Sequence, residues 1–496
     1  MKKSDLRVGP VISGREFKSR DAGFLDVINP ATGRAIGRQA CCDPATIGRA
    51  VESSAAAFRS AEWQNTTPAA RGRLLLTIAE LLERRDGEFI ELELLDTGKP
   101  VSQLKGGELP LAASLLRFYA GAADKIEGSV KNTEGGFFSI STWEPYGVVA
   151  GILPWNYPLV NAVMKVAPAI AAGNAIVLKP SAETPLSTVA FGKLCMDAGL
   201  PAGIVNVVTG KGSQIGNALV SHPRVGKISF TGSTSVGQAI QKLAADQLKA
   251  VNLECGGKNA IIVFADADLE RAAQAALISA FINAGQLCVS CSRLLVERSI
   301  EKPFAECLRA RIRKIVVGDP RDSKTLVGPM ITRAQHEIAT AALDRALREG
   351  CNIIAGHKPL KLGRELSKGF WFAPAILGNV RPGTKTHNDE IFGPVLAMLP
   401  FDTEEQAVRI SNSVAYGLSG SVWTADGERA LRMVKALDTG IIWVNTMLTG
   451  YPEIPVPPHR MSGTGVELGM EGLLAYCKRK SAVLGYDSRA PVGWNL

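Results

Sequence analysis

The sequence predicts an α/β fold built on parallel sheets. Three observations lead there. Strand and helix patterns alternate from Gly147 to Glu254, and a second alternating block runs from Ala260 to Asn445. At 496 residues the chain is too long for one core, so two or three domains are expected.

Ahead of the first block, Asn29-Pro-Ala-Thr-Gly33 reads as a turn. Helical patterns follow over 44–58 and 68–85; the second carries Leu74, Leu75, Ile78, Leu81 and Leu82 on one face. Asp96-Thr-Gly-Lys-Pro100 closes this helical region, and 111–128 is a further helix ending in glycine. The stretch 133–141 is strand-like with polar flanks, as in a projecting hairpin.

In the first block, strands are expected over 148–153, 175–178, 204–208, 225–230 and 251–253. The helices between them start at the Pro154-Trp-Asn-Tyr-Pro158 corner, at Thr184-Pro185, at Gly210-x-Gly-x-x-x-Gly216 and at Thr231-Gly-Ser233. In the second block, strands are expected over 260–264, 294–296, 395–399 and 441–444. Its helices cover 268–284, 304–315, 332–349, 404–413 and 427–437. The tail 487–496 has little periodicity.

Composition is that of an ordinary globular protein, 46% apolar and 21% charged. The formal charge of +9 is mild at this length, and Lys478-Arg-Lys480 has no interleaved aromatics, which argues against nucleic acid. The apolar zone 159–178 is interrupted by Lys165, Pro168, Gly173 and Asn174, so no membrane span is expected. The start Met1-Lys-Lys-Ser-Asp lacks an apolar leader core, which points to the cytoplasm and reduced thiols. Cys288-x-x-Cys291 has no second such pair, so no metal is expected; a dithiol pair stays open on spacing alone.

Cys288 follows an apolar helical run and a Gly285-Gln286 break. It reads as a small buried hydrophobe or as an exposed nucleophile at a helix-to-loop corner. Glu254 ends an apolar strand before Gly256-Gly257; it is a salt-bridge partner or a base made more basic by apolar surroundings. Asn156 is a turn residue or a donor to an oxyanion. Lys179, Thr231, Gly232 and Ser233 fall at carboxyl ends of strands, where open parallel sheets bind ligands. A lysine there holds ribose or phosphate, and free N–H groups at the start of a helix suit a pyrophosphate.

The set Pro154-Trp-Asn-Tyr-Pro158, Phe230-Thr-Gly-Ser233, Leu253-Glu-Cys-Gly-Gly-Lys258, Gly285-Gln-Leu-Cys288, Glu390-Ile-Phe-Gly-Pro394 and Met461-Ser-Gly463 resembles the aldehyde dehydrogenase superfamily. The motifs occur in order over nearly the whole chain, and the interval from Glu254 to Cys288 fits the family's spacing. The resemblance implies a Rossmann-like cofactor domain over 1–126 and 144–257 and a catalytic domain over 258–445. It also implies a small β oligomerisation arm over 127–143, with the C-terminal stretch 470–496, in a homodimer or homotetramer. It implies NAD or NADP as cofactor and a small-molecule aldehyde as substrate.

Residue by residue, the resemblance makes Cys288 the nucleophile, Asn156 the oxyanion donor and Glu254 the base that activates water. Lys165 would support the region of Cys288 and Asn156. Trp155, Lys179, Ser181, Gly212, Thr231, Gly232, Ser233, Glu390 and Phe392 would line the cofactor. Asn161, Met164, Leu287 and Tyr451 would line the aldehyde channel. That lining carries no arginine for a second carboxylate, which favours an uncharged aliphatic or aromatic aldehyde. A coenzyme A-dependent acylating enzyme and a betaine or aminoaldehyde enzyme are the alternatives; Glu254 argues against the first.

Three places depart from the family pattern. Ala182 stands where a glutamate often grips the adenine ribose, and Glu183 follows one position later. Loss of that carboxylate predicts acceptance of NADP, whereas a shift of Glu183 into the grip would favour NAD. Cys255 replaces a leucine, with packing consequences only. Pro457-Pro-His459 stiffens a loop near the substrate mouth.

Overall fold

The computed structural model describes residues 6–17, 22–134 and 136–486; the tail 487–496 lies outside the described residues. Two large sheets form the body. In the first, strands Ala250–Glu254, Val225–Thr231, Val148–Ile152, Ala175–Lys179 and Val205–Val207 lie side by side and run parallel. Gly463–Thr464 joins one edge antiparallel, and Val11–Ile12 with Arg15–Glu16 closes the other. Helices cover both faces, so the central strands are buried on both sides and read as unbroken apolar runs.

Register fixes what this sheet presents. Thr231 pairs with Glu254, Phe230 with Ile152, and Ile152 with Lys179. The carboxyl ends therefore form one rim carrying Glu254, Thr231, the 154–158 corner and Lys179.

The second sheet has the order Asn352–Gly356, Ala375–Gly378, Val395–Phe401, Arg293–Glu297, Ala260–Val263, Ser419–Trp423, Ile441–Val444. All its pairs are parallel except the outermost, Asn352–Gly356 on Ala375–Gly378. A separate core forms around it. A third, three-stranded sheet projects from the body. Ser129–Asn132 and Phe137–Pro145 make the expected hairpin, and Cys477–Gly485 pairs along the whole of Phe137–Pro145. Beyond Cys477 that last strand is exposed, with Val483 and Leu484 facing outward.

Most expected elements differ only at their ends. The helix expected to begin at Pro185 starts at Leu186, and that expected over 304–315 is Glu301–Ile312. The consequential difference is in the helix before Cys288. It runs Leu269–Phe281 and stops short of Ala284, because Asn283, Ala284 and Gly285 all take left-handed backbone angles, φ 49°, 54° and 71°.

Candidate active site

The left-handed turn reverses the chain and delivers Cys288. Asparagine and glycine tolerate this conformation; Ala284 adopts it at a cost of about 1–2 kcal/mol. The surroundings hold it there. Asn283 Nδ2 donates to the carbonyls of Asn156 and Gln286, both at 3.1 Å. Buried Gln286 donates Nε2 to Asn283 O at 3.0 Å and accepts the Ile331 N–H at 2.9 Å. Gly285 packs so closely on Gly393 and Pro394 that a Cβ would overlap their backbone. Past the turn, Asn259 Nδ2 donates to the Cys288 carbonyl at 2.7 Å and to that of Ser290 at 2.9 Å.

Asn156 reaches the same turn from the first sheet's rim. Its Nδ2 donates to Gln286 O at 2.9 Å, which uses one of its two amide protons and leaves the other to point at a ligand. Gly257 lies under the nucleophile: a Cβ there would stand 2.7 Å from the Cys288 carbonyl oxygen. The chain from Glu254 through Gly256-Gly257 thus passes directly beneath Cys288.

Glu254 ends its strand buried, and its Oε1 has no hydrogen-bond partner among the described residues. Burial pushes its pKa well above the usual carboxylate range; Glu467 adds to the rise and Lys165 opposes it. Burial also pushes the Cys288 thiol up to about 12, with Glu254 and Glu390 contributing next. Both carboxylates thus act electrostatically on the sulfur and oppose its ionisation.

The Lys165 ammonium makes its hydrogen bonds to Glu467, Thr231 and Ser229. Fully buried, its Nζ lies 2.6 Å from Glu467 Oε1, 2.8 Å from Thr231 Oγ1 and 3.2 Å from Ser229 Oγ. Its charge also acts on Glu254, favouring the ionised carboxylate. Glu467 was not among the expected site residues. It lies 302 positions from Lys165 in a glycine-rich loop, and no spacing signals it.

The cofactor side is built on the same rim. The Lys179 ammonium is buried, donates to Pro180 O at 3.0 Å, and is lowered to about 8 by burial, against which Glu183 and then Cys42 act. Gly212 leaves the space beside it clear: a Cβ there would be 3.8 Å from Nζ. Ser181 donates its hydroxyl to Glu183, which anchors that carboxylate near Lys179. Ser233 is the N-cap of helix Thr234–Ala245 and makes no capping bond, so the first-turn N–H groups are free. Ser233, Thr234, Glu390 and Tyr416 line a cleft of about 640 Å³. Thr231 and Gly232 are engaged elsewhere: Thr231 holds Lys165, and the Gly232 N–H bonds to Glu254 O at 2.9 Å.

Glu390 closes the cleft. Its Oε1 accepts the Gly257 N–H at 3.0 Å, and its carboxylate fills the space a Gly256 side chain would need. Burial raises it to about 7, opposed by the Gly257 N–H and by Lys258. The Lys258 ammonium is itself fully buried and has no hydrogen-bond partner among the described residues. Phe392, with φ 53°, meets Trp155 edge-on at 5.3 Å between ring centroids. The free helix start, the buried lysine clear of side chains and the glycine floor between Glu390 and Cys288 fit a dinucleotide laid across the rim.

The expected channel residues are less tightly grouped. Asn161 is buried and donates to Tyr157 O at 2.9 Å; Met164 is half-buried against the first sheet's core, and Leu287 is half-buried beside Cys288. Tyr451 is 53% exposed on an outer loop. All nine cysteines are free; Cys291 is buried with its sulfur 3.9 Å from Met447 Sδ, in the second core. Among the described residues no group of three His, Cys, Asp or Glu side chains could hold a metal ion. No described helix is long and apolar enough to cross a membrane.

Known proteins share this sequence pattern and fold. The model of the Aldehyde dehydrogenase family matches residues 17–482. A phenylacetaldehyde dehydrogenase of Pseudomonas fluorescens is 39% identical over 485 residues, covering 96% of this chain and 95% of the relative. The crystal structure of PnpE, from Pseudomonas sp. WBC-3, in complex with nicotinamide adenine dinucleotide superimposes with a TM-score of 0.95 at 37% identity, over 97% of this chain and 98% of that one. The NAD+ complex of betaine aldehyde dehydrogenase from Staphylococcus aureus gives 0.94 at 34%, over 98% and 96%. The chain belongs to the aldehyde dehydrogenase family and is an enzyme that oxidises an aldehyde with NAD or NADP.

Proposed function

We propose that the enzyme converts an uncharged aldehyde to its carboxylic acid through a covalent bond to Cys288. Three observations support this reading: Asn156 bonds to Gln286 in the turn that leads to Cys288, Gly257 packs on the Cys288 carbonyl, and Glu254 acts electrostatically on the Cys288 thiol. The thiol gives its proton to solvent, the one proton the overall oxidation releases, and the sulfur bonds to the carbonyl carbon, giving a tetrahedral adduct. The free Asn156 amide proton and the Cys288 N–H hold its oxygen. The nicotinamide supplies the hydride acceptor. As the adduct collapses, the former aldehyde hydrogen departs with its electron pair and a thioester remains on Cys288. Glu254, ionised, takes a proton from water; the hydroxide adds to the thioester, and the acid leaves as the thiol is restored.

A carboxyl with a free buried oxygen beside the thioester favours hydrolysis over transfer to coenzyme A. Lys165 and Glu467 adjust the proton affinity of Glu254 from behind. Lys179, Ser181, Gly212 and Ser233 bind the cofactor's ribose and phosphate region, while Trp155, Glu390 and Phe392 flank the nicotinamide end. Half-buried Met164 and Leu287, with the Asn161 amide already committed to Tyr157, favour a neutral aliphatic or aromatic tail, and the phenylacetaldehyde dehydrogenase relative supports the aromatic choice.

We assign 1–126 and 144–257 to cofactor binding, 258–445 to catalysis, and the projecting sheet with its exposed outer strand to pairing between subunits of a dimer or tetramer. Nine free thiols suit the cytoplasm. The test is a panel of phenylacetaldehyde, hexanal and betaine aldehyde, each with NAD and NADP. The reading expects kcat/KM for the neutral aldehydes to exceed that for betaine aldehyde by about tenfold or more. The reverse order would place a cationic substrate in the channel.

A further inference from the structure

Asp96-Thr-Gly-Lys-Pro100 takes no part in the site described above, yet it sits among the most heavily buried charges in the molecule. Helix Asp86–Thr97 ends at left-handed Gly98, and the chain continues through Val101–Gln103 and a π-helical turn, Leu104–Glu108. Within this stretch Glu93, Asp96, Lys99 and Glu108 are all buried. Lys99 Nζ lies 2.5 Å from Glu108 Oε2 and 3.8 Å from Glu93 Oε2. One oxygen each of Glu93, Asp96 and Glu108 has no hydrogen-bond partner among the described residues. Three acids around one lysine are a poor way to fill a core: apolar side chains of the same volume would serve stability as well or better.

Several contacts of this segment lead to the candidate site, while others bind it to the 320–326 stretch. Lys99 Nζ stands 3.8 Å from the centre of the Tyr157 ring, and Tyr157 directly follows Asn156. Glu93 Oε1 accepts the Leu159 N–H at 3.0 Å and also the Ser187 hydroxyl, so it caps helix Pro158–Ala171, which begins at this corner. Asp96 Oδ2 accepts the Leu186 N–H at 3.0 Å in the first turn of the helix that follows Lys179 and Ser181. On the far side, Gln103 Oε1 accepts the Asn283 N–H at 3.2 Å, at the turn that delivers Cys288. The same segment therefore touches the Asn156 corner, the cofactor corner and the nucleophile turn.

We infer that Lys99 is a positioning residue for Asn156: held by Glu108 and Glu93, its ammonium pins the face of the Tyr157 ring and so fixes the corner from which the Asn156 amide reaches the reacting oxygen. Small displacements at such a corner cost rate out of proportion to their size. The inference rests on the reading of Asn156 as oxyanion donor.

The test is a double-mutant cycle in the full-length enzyme with its aldehyde and cofactor. Lys99→Met and Tyr157→Leu should each lower kcat by about tenfold or more, and the double variant should be no slower than the slower single one, because both remove one contact. Cofactor Kd, read by fluorescence, should stay within about twofold, which separates this role from general damage. Tyr157→Phe keeps the ring and should recover at least half of the activity lost in Tyr157→Leu. Wild-type kcat in Lys99→Met, or losses that multiply in the double variant, would overturn the inference. If Lys99→Met does not fold, equal activities of Tyr157→Phe and Tyr157→Leu would overturn it instead. Asn156→Ala tests the underlying reading separately: near-normal kcat there would remove the oxyanion role, whereas a large loss there with Lys99→Met unaffected would remove only this inference.

Discussion

Glu467→Gln probes how the general base is tuned. Glu254 is buried, and after burial itself the largest influence raising its pKa is the Glu467 carboxylate. Lys165, fully buried and 2.6 Å from Glu467, acts in the opposite direction. With residue 467 neutral, the like charge is gone and the lysine has Glu254 as its remaining carboxylate. Both changes favour the ionised base. Removing a like charge favours the ionised carboxylate, so the pKa of Glu254 should fall. The same substitution strips a buried ammonium of its partner, which costs up to about 3–5 kcal/mol of stability, less whatever Glu254 restores.

On the proposed mechanism an activated ester would acylate Cys288 without hydride transfer, so the steady rate after the burst would isolate hydrolysis of the acyl-enzyme. Its acid limb reports the base that must be ionised. In Glu467→Gln that limb should move to lower pH, with a reduced melting temperature. A limb that stays in place, or moves to higher pH, would refute the assignment of Glu467 and Lys165 to the tuning of Glu254.

Three further outcomes follow from single features. On the proposed cofactor placement, Glu183, tethered to Ser181 beside Lys179, would repel a 2′-phosphate, so Glu183→Ala should raise the NADP-to-NAD ratio of kcat/KM by about tenfold; an unchanged ratio would place the carboxylate outside the ribose grip. Gly285→Ala forces a Cβ into the backbone of Gly393 at φ 71°, and should lower kcat more than about tenfold while cofactor Kd changes little; a variant with normal kcat would show that the turn is not needed to place Cys288. Glu108, raised to about 7 chiefly by burial, binds its proton more tightly folded than unfolded. The stability this contributes is complete below the ordinary carboxylate range and is lost as pH rises towards 7, so urea denaturation should find Glu108→Gln less sensitive than wild type between pH 4.5 and pH 7. Equal slopes for the two proteins would refute this.

Much of the fold could be read from residue pattern because its central strands are buried on both faces. Val148–Ile152 and Ala175–Lys179 appear as plain apolar runs between helical stretches, and their carboxyl ends carry Asn156 and Lys179 within a few residues. Ser419–Trp423 escaped because its glycine and serines hide a buried strand, and helix Asp86–Thr97 because Glu93 and Asp96 turn their charges inward. The turn before Cys288 escaped for a different reason: two of its three left-handed residues, Asn283 and Ala284, are not glycine, and bonds from the Asn156 corner and Gln286 hold them. Glu467 meets Lys165 only through the fold, across 302 positions of sequence, so no local pattern could signal the pair.

The account turns on a covalent bond at Cys288, and mass spectrometry of the quenched enzyme tests it directly. Glu254→Gln mixed with aldehyde and NAD should accumulate an acyl group on the peptide that contains Cys288, in step with one equivalent of NADH, and Cys288→Ala should form neither. An acyl group on another residue, or steady NADH production by Cys288→Ala at the wild-type rate, would contradict the account.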